Sequence, residues 1–323
     1  MTTGNVQFLR LWPSLMVAIV GACSAGLAGC GSDPVAEDPP SVVTTTTILT
    51  DLTEDVAAGE VDVSGILQPG DDPHVYEPVP QDTVTLEGAD LIIYNGYNLE
   101  PALIRMIEAS GIQTMKAPVA ESAPPLQMDY DGQQVPDPHV WGNVKNTILM
   151  VEAIRDALSE AFPEDAATFA ANAEATIATL EKLDTWVTDQ IATIPEDQRK
   201  LVTTHDAFQY YAQAYGVPVL GTLIGVSTEE QPSAQTVKRL SDLIQTAQVP
   251  SIFAETTINP ALIGTVAEEA GVELAPNELY ADALGEPGSR GDSYVNMIVA
   301  NTETIVTALG GEFTPFDPDA AQP

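Results

Sequence analysis

The sequence predicts an α/β protein built as two Rossmann-like lobes with parallel sheets, joined by a single long α-helix. Three observations point there. Strand-like and helix-like patterns alternate over residues 43–165 and again over 196–313, the rhythm of parallel strands with crossover helices. Between these blocks, residues 166–195 carry apolar side chains at steps of three and four, among them Phe169, Ala173, Ile177, Leu180, Val187 and Ile191. At about 1.5 Å per residue this run spans about 40 Å, the length of a whole domain. A spine joining the lobes is preferred over a coiled-coil arm. Finally, 323 residues are enough to give each lobe a core of its own.

The elements follow in order. SVVTTTTILTDLTEDVA, from Ser41, opens with a β-rich run that passes into a helical pattern. VDVSGIL and ADLIIYNG read as short strands ended by turn residues, and PQDTVTLEGA and LEPALIRMIEAS as the helices between and after them. A helical stretch begins after Asn146 and breaks at FPED, and the long helix then runs from Ala166 to about Ile194, stopped by Pro195. KLVTTHDAF is a strand leading into a helix, and VPVLGTLIGV a further strand. SAQTVKRLSDLIQTAQ is a helix with Ser233 as N-cap. VPSIFAET is a strand, NPALIGTVAEEAG a helix with proline at its start and glycine at its end, and GDSYVNMIVANTETIVTALGG the last helix. Residues 314–323, rich in Pro and Asp, are expected to be a disordered tail.

Composition excludes several classes of function. The chain has 47 acidic against 11 basic residues, a net charge of −36, which repels phosphate backbones and argues against nucleic-acid binding. At the N-terminus, Arg10 precedes a mostly apolar run from Leu11 to Leu27 that ends in LAGC. This is the layout of a secretory signal. It resembles the bacterial lipoprotein type, in which cleavage precedes a cysteine that becomes lipidated. Residues 1–29 are then the signal peptide, Cys30 the anchor and residues 30–42 a flexible tether; Cys23, in VGAC, is the second candidate. Removal of Cys23 leaves one cysteine, so no disulfide braces the mature chain.

Three histidines occur in the whole chain, His74, His139 and His205. The first two each follow Asp-Pro, in DDPHVYEP and PDPHVWGN, and the third ends the strand LVTT. In open α/β sheets such strand ends are where ligands bind. Imidazoles without a thiol pair suit Zn, Mn or Fe rather than a cysteine-based zinc site. Spacing alone leaves a shared metal site open, since no His-x-x-x-His is present.

The phrases DPHVYEPVPQD, NGYNLE, DPHVWGNVKN, VTTHDAFQYYAQAYG, IFAETTINP and LYADALGEPG, in this order behind a lipobox, resemble the metal-binding lipoproteins of bacterial ABC importers for zinc and manganese (cluster A-I solute-binding proteins). The resemblance runs from about residue 43 to 313. It implies one divalent ion held in the cleft between the lobes by His74, His139, His205 and Asp282, two ligands before the long helix and two after it. It further implies a binding protein that delivers its cargo to a membrane permease with a cytoplasmic ATPase, working as a monomer outside the cytoplasmic membrane. Glu255 matches a recurrent family glutamate and is expected beside the ion or in reserve, with a hydrogen-bonding role for its own lobe alone as the alternative. Asp72 and Asp137 are placed to orient imidazoles, Asp206 to cap the following helix, and Trp141 and Tyr76 to screen the ion or simply to pack. The segment 117–136 lacks the histidines of many zinc-specific relatives, while His205 stands where many manganese-type relatives have Glu. Zn2+ and Mn2+ both stay open, with Fe2+ behind them. The alternatives are a metal-dependent hydrolase, disfavoured by a filled ligand set and the absence of His-Glu-x-x-His, and a surface adhesin on the same fold.

Overall fold

The computed structural model describes residues 39–109, 114–130 and 132–319. The signal peptide, Cys30 and most of the tether lie outside the described residues. The first lobe is a parallel sheet in the order β2-β1-β3-β4, formed by β1 (Ser41–Thr44), β2 (Asp62–Gly65), β3 (Leu91–Tyr94) and β4 (Met115–Pro118). Strand β1 starts inside the stretch expected to be tether. Ser41 is already tied down, its amide donating to Asp90 Oδ2 at 2.9 Å.

Crossovers are made by α1 (Thr47–Ala57), α2 (Pro80–Glu87) and α3 (Pro101–Ala109). Thr46 caps α1 by accepting from the Leu49 amide at 3.3 Å. The helix ends at Ala58, which takes a left-handed φ of 47° usually left to glycine. Its buried stripe of Ile48, Leu49, Leu52 and Val56 faces the core. Within 117–136 stands an antiparallel hairpin of β5 (Gln127–Tyr130) and β6 (Gln133–Pro136). Its sequence signal was the Asp131-Gly132 pair, with Gly132 at φ 76°.

Helices α4 (Val144–Ala161) and α5 (Ala166–Ala192) follow, and α5 is the spine. It does not stand free: it packs along α4 and against α1 and α9, burying Phe169, Leu180, Leu183, Val187 and Ile191. The second lobe holds two parallel strand pairs, β7 (Leu201–Thr203) with β8 (Val219–Thr222) and β9 (Ser251–Ile252) with β10 (Glu273–Leu274). One backbone bond, Phe253 N to Val202 O at 2.9 Å, links the pairs. These strands are shorter than their apolar runs. Pro218 and Pro250 stand immediately before β8 and β9, each without an amide to extend its ladder. Helices α6 (Gln209–Tyr215), α7 (Ala234–Ala247), α8 (Ala261–Ala270) and α9 (Tyr294–Ala308) complete the fold, with Ser233 capping α7 as expected.

The largest hydrophobic cluster is shared. Leu49, Leu91 and Ile154 of the first lobe, Leu180 and Val187 of the spine, and Tyr211, Phe253 and Ile305 of the second belong to one continuous core. The chain from Thr314 to Asp319, expected to be disordered, is strapped to α5. Trp186 Nε1 donates to Thr314 O at 3.0 Å, and Thr314 N to Gln190 Oε1 at 2.7 Å. Phe313 and Phe316 set their rings edge-on to Trp186. The composition that suggests fraying is outweighed by two aromatics with a tryptophan to pack on.

Glu100 is the least expected member of the first lobe. It is fully buried, and its Oε1 accepts from Thr45 Oγ1 at 2.8 Å and Asn95 N at 2.7 Å, joining the ends of β1 and β3. Oε2 has no partner. Burial pushes this carboxyl up to about 7, a preference for the neutral form worth about 3 kcal/mol. Because the folded value is raised, that stability is present below the unfolded pKa of 4.5 and is lost as pH rises through about 7. In metal-free protein, Glu100→Gln is therefore expected to flatten the fall in melting temperature between about pH 4.5 and 7. It should also melt higher than wild type at pH 8; parallel curves would remove Glu100 as the cause.

Candidate metal centre

Four segments that leave strands converge on one point. His74 lies in the loop after β2, His139 in the turn after the hairpin, His205 directly after β7, and Asp282 in the loop after β10. Ligand atoms of these four side chains all lie within 4.8 Å of one another. His74 Nε2 is 3.1 Å from His139 Nε2, and His205 Nε2 is 3.1 Å from Asp282 Oδ2. His139 Nε2 is 3.4 Å from Asp282 Oδ1, and His74 Nε2 is 3.9 Å from Asp282 Oδ2. A tetrahedral ion with bonds of about 2.0 Å sets its ligand atoms about 3.3 Å apart, and these separations bracket that edge.

The polarity of the site fits a cation. Asp137 Oδ1 accepts from the backbone amide of His139 at 3.0 Å and sits 2.8 Å from its Nδ1. A carboxylate only accepts, so Nδ1 carries the proton and Nε2 turns a lone pair inward. Glu255 does the same for His205. Its Oε2 bonds His205 Nδ1, while Oε1 accepts from the amides of Thr204 and His205 at 2.8 and 2.9 Å. No hydrogen bond satisfies His205 Nε2 or either oxygen of Asp282, although all three are buried. Orphaned buried acceptors are rare unless something absent from the protein chain completes them.

Electrostatics follow from that crowding. Burial works against the charge on Asp282, but His205 foremost, then His139 and His74, hold its carboxyl well below the usual range. Burial would also lower His205, yet Glu255 and Asp282 carry it well above its ordinary value. His74 has no such support, and burial pushes its imidazole down to about 3 against the pull of Asp282.

The other expected residues take definite places. Asp72 Oδ1 accepts from the His74 backbone amide at 2.9 Å and does not bond its ring. Trp141 sets its ring edge-on to His139 at 5.4 Å, and its indole donates to Ala281 O at 2.9 Å, next to Asp282. Tyr76 donates to Asp82 and stands off the site. Asp206 does not cap α6: its carboxylate accepts from the Gln209 side chain at 2.7 Å, and α6 begins without a side-chain cap. Two supports were not singled out from sequence. Asn95 Nδ2 donates to Pro138 O at 3.1 Å and Tyr210 OH to Asp137 O at 2.9 Å, so both brace the His139 turn. Asn95 opens the NGYNLE phrase, but nothing in a single sequence says which backbone an amide side chain reaches.

A family model described as zinc-uptake complex component A, periplasmic, matches residues 42–308. The manganese-binding lipoprotein MntA of Halalkalibacterium halodurans is 37% identical over 287 residues, covering 87% of this chain and 94% of that protein. The zinc-binding protein TroA of Treponema pallidum is 35% identical over 281 residues, covering 86% and 91%. A solved structure of the periplasmic zinc-binding TroA superimposes with a TM-score of 0.79 at 34% identity, covering 84% of this chain and 99% of that one.

Proposed function

Because the chain belongs to the zinc-uptake complex component A family, whose members are the metal-binding components of ABC importers, we propose that it holds one divalent ion with His74, His139, His205 and Asp282. It is a solute-binding protein and not an enzyme, and it serves an importer made of a permease and an ATPase. The observation that carries the ligand assignment is the set of inward-facing acceptors with no hydrogen-bond partner. Four protein ligands fill a tetrahedral ion and leave no open position for a reacting water, as a carrier requires. Asp137 and Glu255 support the reading as positioning groups, each fixing one imidazole in the tautomer a metal needs.

The cargo is Zn2+ or Mn2+. Three nitrogens and a carboxylate suit zinc. Both Asp282 oxygens face histidines, at 3.4 and 3.1 Å, and this also suits a larger ion taking the carboxylate through both. Relatives named for each metal match the chain. The lipobox supports anchoring through Cys30 outside the cytoplasmic membrane, in keeping with relatives named lipoproteins, and we take the working form to be a monomer.

Calorimetric titration of the soluble chain tests the function. One ion per chain is expected, and competition between Zn2+ and Mn2+ ranks the cargo. A chain that takes up neither metal would sink the reading.

A further inference from the structure

His74 differs from the other three site residues in two respects. It alone retains exposure, 6% against 0–1% for His139, His205 and Asp282. It also has no carboxylate behind its ring, since Asp72 holds only its backbone amide, whereas Asp137 and Glu255 pin the other two imidazoles. The residue after it, Val75, is 40% exposed, in a loop without regular structure.

On the outer side of His74 lies a cavity of about 740 Å³, and of the four site residues only His74 lines it. Its lining is drawn from both lobes, Tyr94 and Ala102 from the first and Ser227 and Glu229 from the second. Four carboxylates, Glu77, Glu108, Glu121 and Glu229, face a single base, Arg105. A water occupies about 30 Å³, so six waters around an ion need about 180 Å³ and fit with room to spare. The ring of His74 lines this space without a carboxylate to hold it.

We propose that this cavity is the path by which the hydrated divalent ion reaches and leaves the site, with His74 as the ligand that swings to let it pass. The proposal rests on the four-ligand reading above. His139, His205 and Asp282 form the fixed part of the site, and His74 joins last and leaves first. The acidic lining favours a cation along the whole path and disfavours a metal carried by an anionic chelator.

Rapid-mixing kinetics test it, with Zn2+ loading followed by a fluorescent indicator and release by an EDTA chase. Ala102→Trp enlarges the lining from the first lobe and Ser227→Trp that from the second. A blocked path raises a barrier without altering either end state, so each variant should slow loading and release by the same factor, about tenfold, at unchanged affinity. Ala171→Trp, on the exposed face of α5, should do neither. His74→Ala should still load one ion and release it faster than wild type. Folded lining variants with wild-type rates, or with altered affinity and unequal rate changes, would overturn the path. A His74→Ala chain that binds no ion would overturn the gate. Failure of the wild type to bind zinc or manganese would instead strike the functional reading itself.

Discussion

Asp282→Ala is expected to cost about 2–5 kcal/mol of metal affinity, or roughly thirty- to several-thousand-fold. Asp282 brings the single negative charge among the four converging side chains and is 1% exposed. Nothing nearby substitutes for it: Glu255 is turned to the far side of His205, where three donors occupy it. Without the carboxylate, three neutral imidazoles face a dication in a buried pocket, and water must fill the fourth position. Asp282→Asn separates charge from shape, since it keeps one carbonyl oxygen and loses the anion, and it should fall between alanine and wild type. Calorimetric titration reads both variants. Wild-type affinity in the alanine variant would remove Asp282 from the site.

Glu255 gives the second large effect, and its two substitutions fail in different ways. Glu255→Gln retains an oxygen for the amides of Thr204 and His205 but offers an NH2 group to the imidazole Nδ1. That donor favours the tautomer with its proton on Nε2, pointed at the ion. Loss of such orienting partners lowers metal affinity about 10- to 100-fold, while the empty protein should melt near wild type. Glu255→Ala instead strands two buried amides and a ring N–H. At about 1–3 kcal/mol for each unsatisfied group, it should lower the melting temperature of the empty protein as well. Thermal melts with and without metal separate the two. Equal affinity in the glutamine variant would mean that the pairing with His205 is structural only.

The three histidines stood out in the sequence because they are scarce, but their common role and the choice of Asp282 came from the family resemblance, since spacing alone left a shared site open. The long helix was plain, since a run of apolar steps over Ala166–Ala192 has no competing strand period. What escaped was set by tertiary neighbours. Apolar runs at VPVLGTLIGV and VPSIFAET promised longer strands than Val219–Thr222 and Ser251–Ile252, because residues buried by packing look the same in sequence as residues buried by pairing. Glu100 carries no sign of burial in the sequence, because that burial depends on Thr45 and Asn95 arriving from other elements. Asp206 had the composition of a cap, but α6 starts at Gln209, whose side chain takes up its carboxylate. The tail reversed its composition through Trp186, a residue more than a hundred positions away.

The largest core cluster, which runs through both lobes and the spine beside a smaller cluster private to each lobe, has a bearing on how long the protein lasts. Through that shared cluster, the opening of one lobe uncovers apolar surface belonging to the other. Whatever free energy the ion adds by binding only the folded chain is then shared along its whole length. An empty carrier is closer to global opening than a loaded one by that same amount, and proteolysis tracks that opening. Cargo and lifetime are thereby coupled: chains that find metal persist, and idle ones are the first to be cleared.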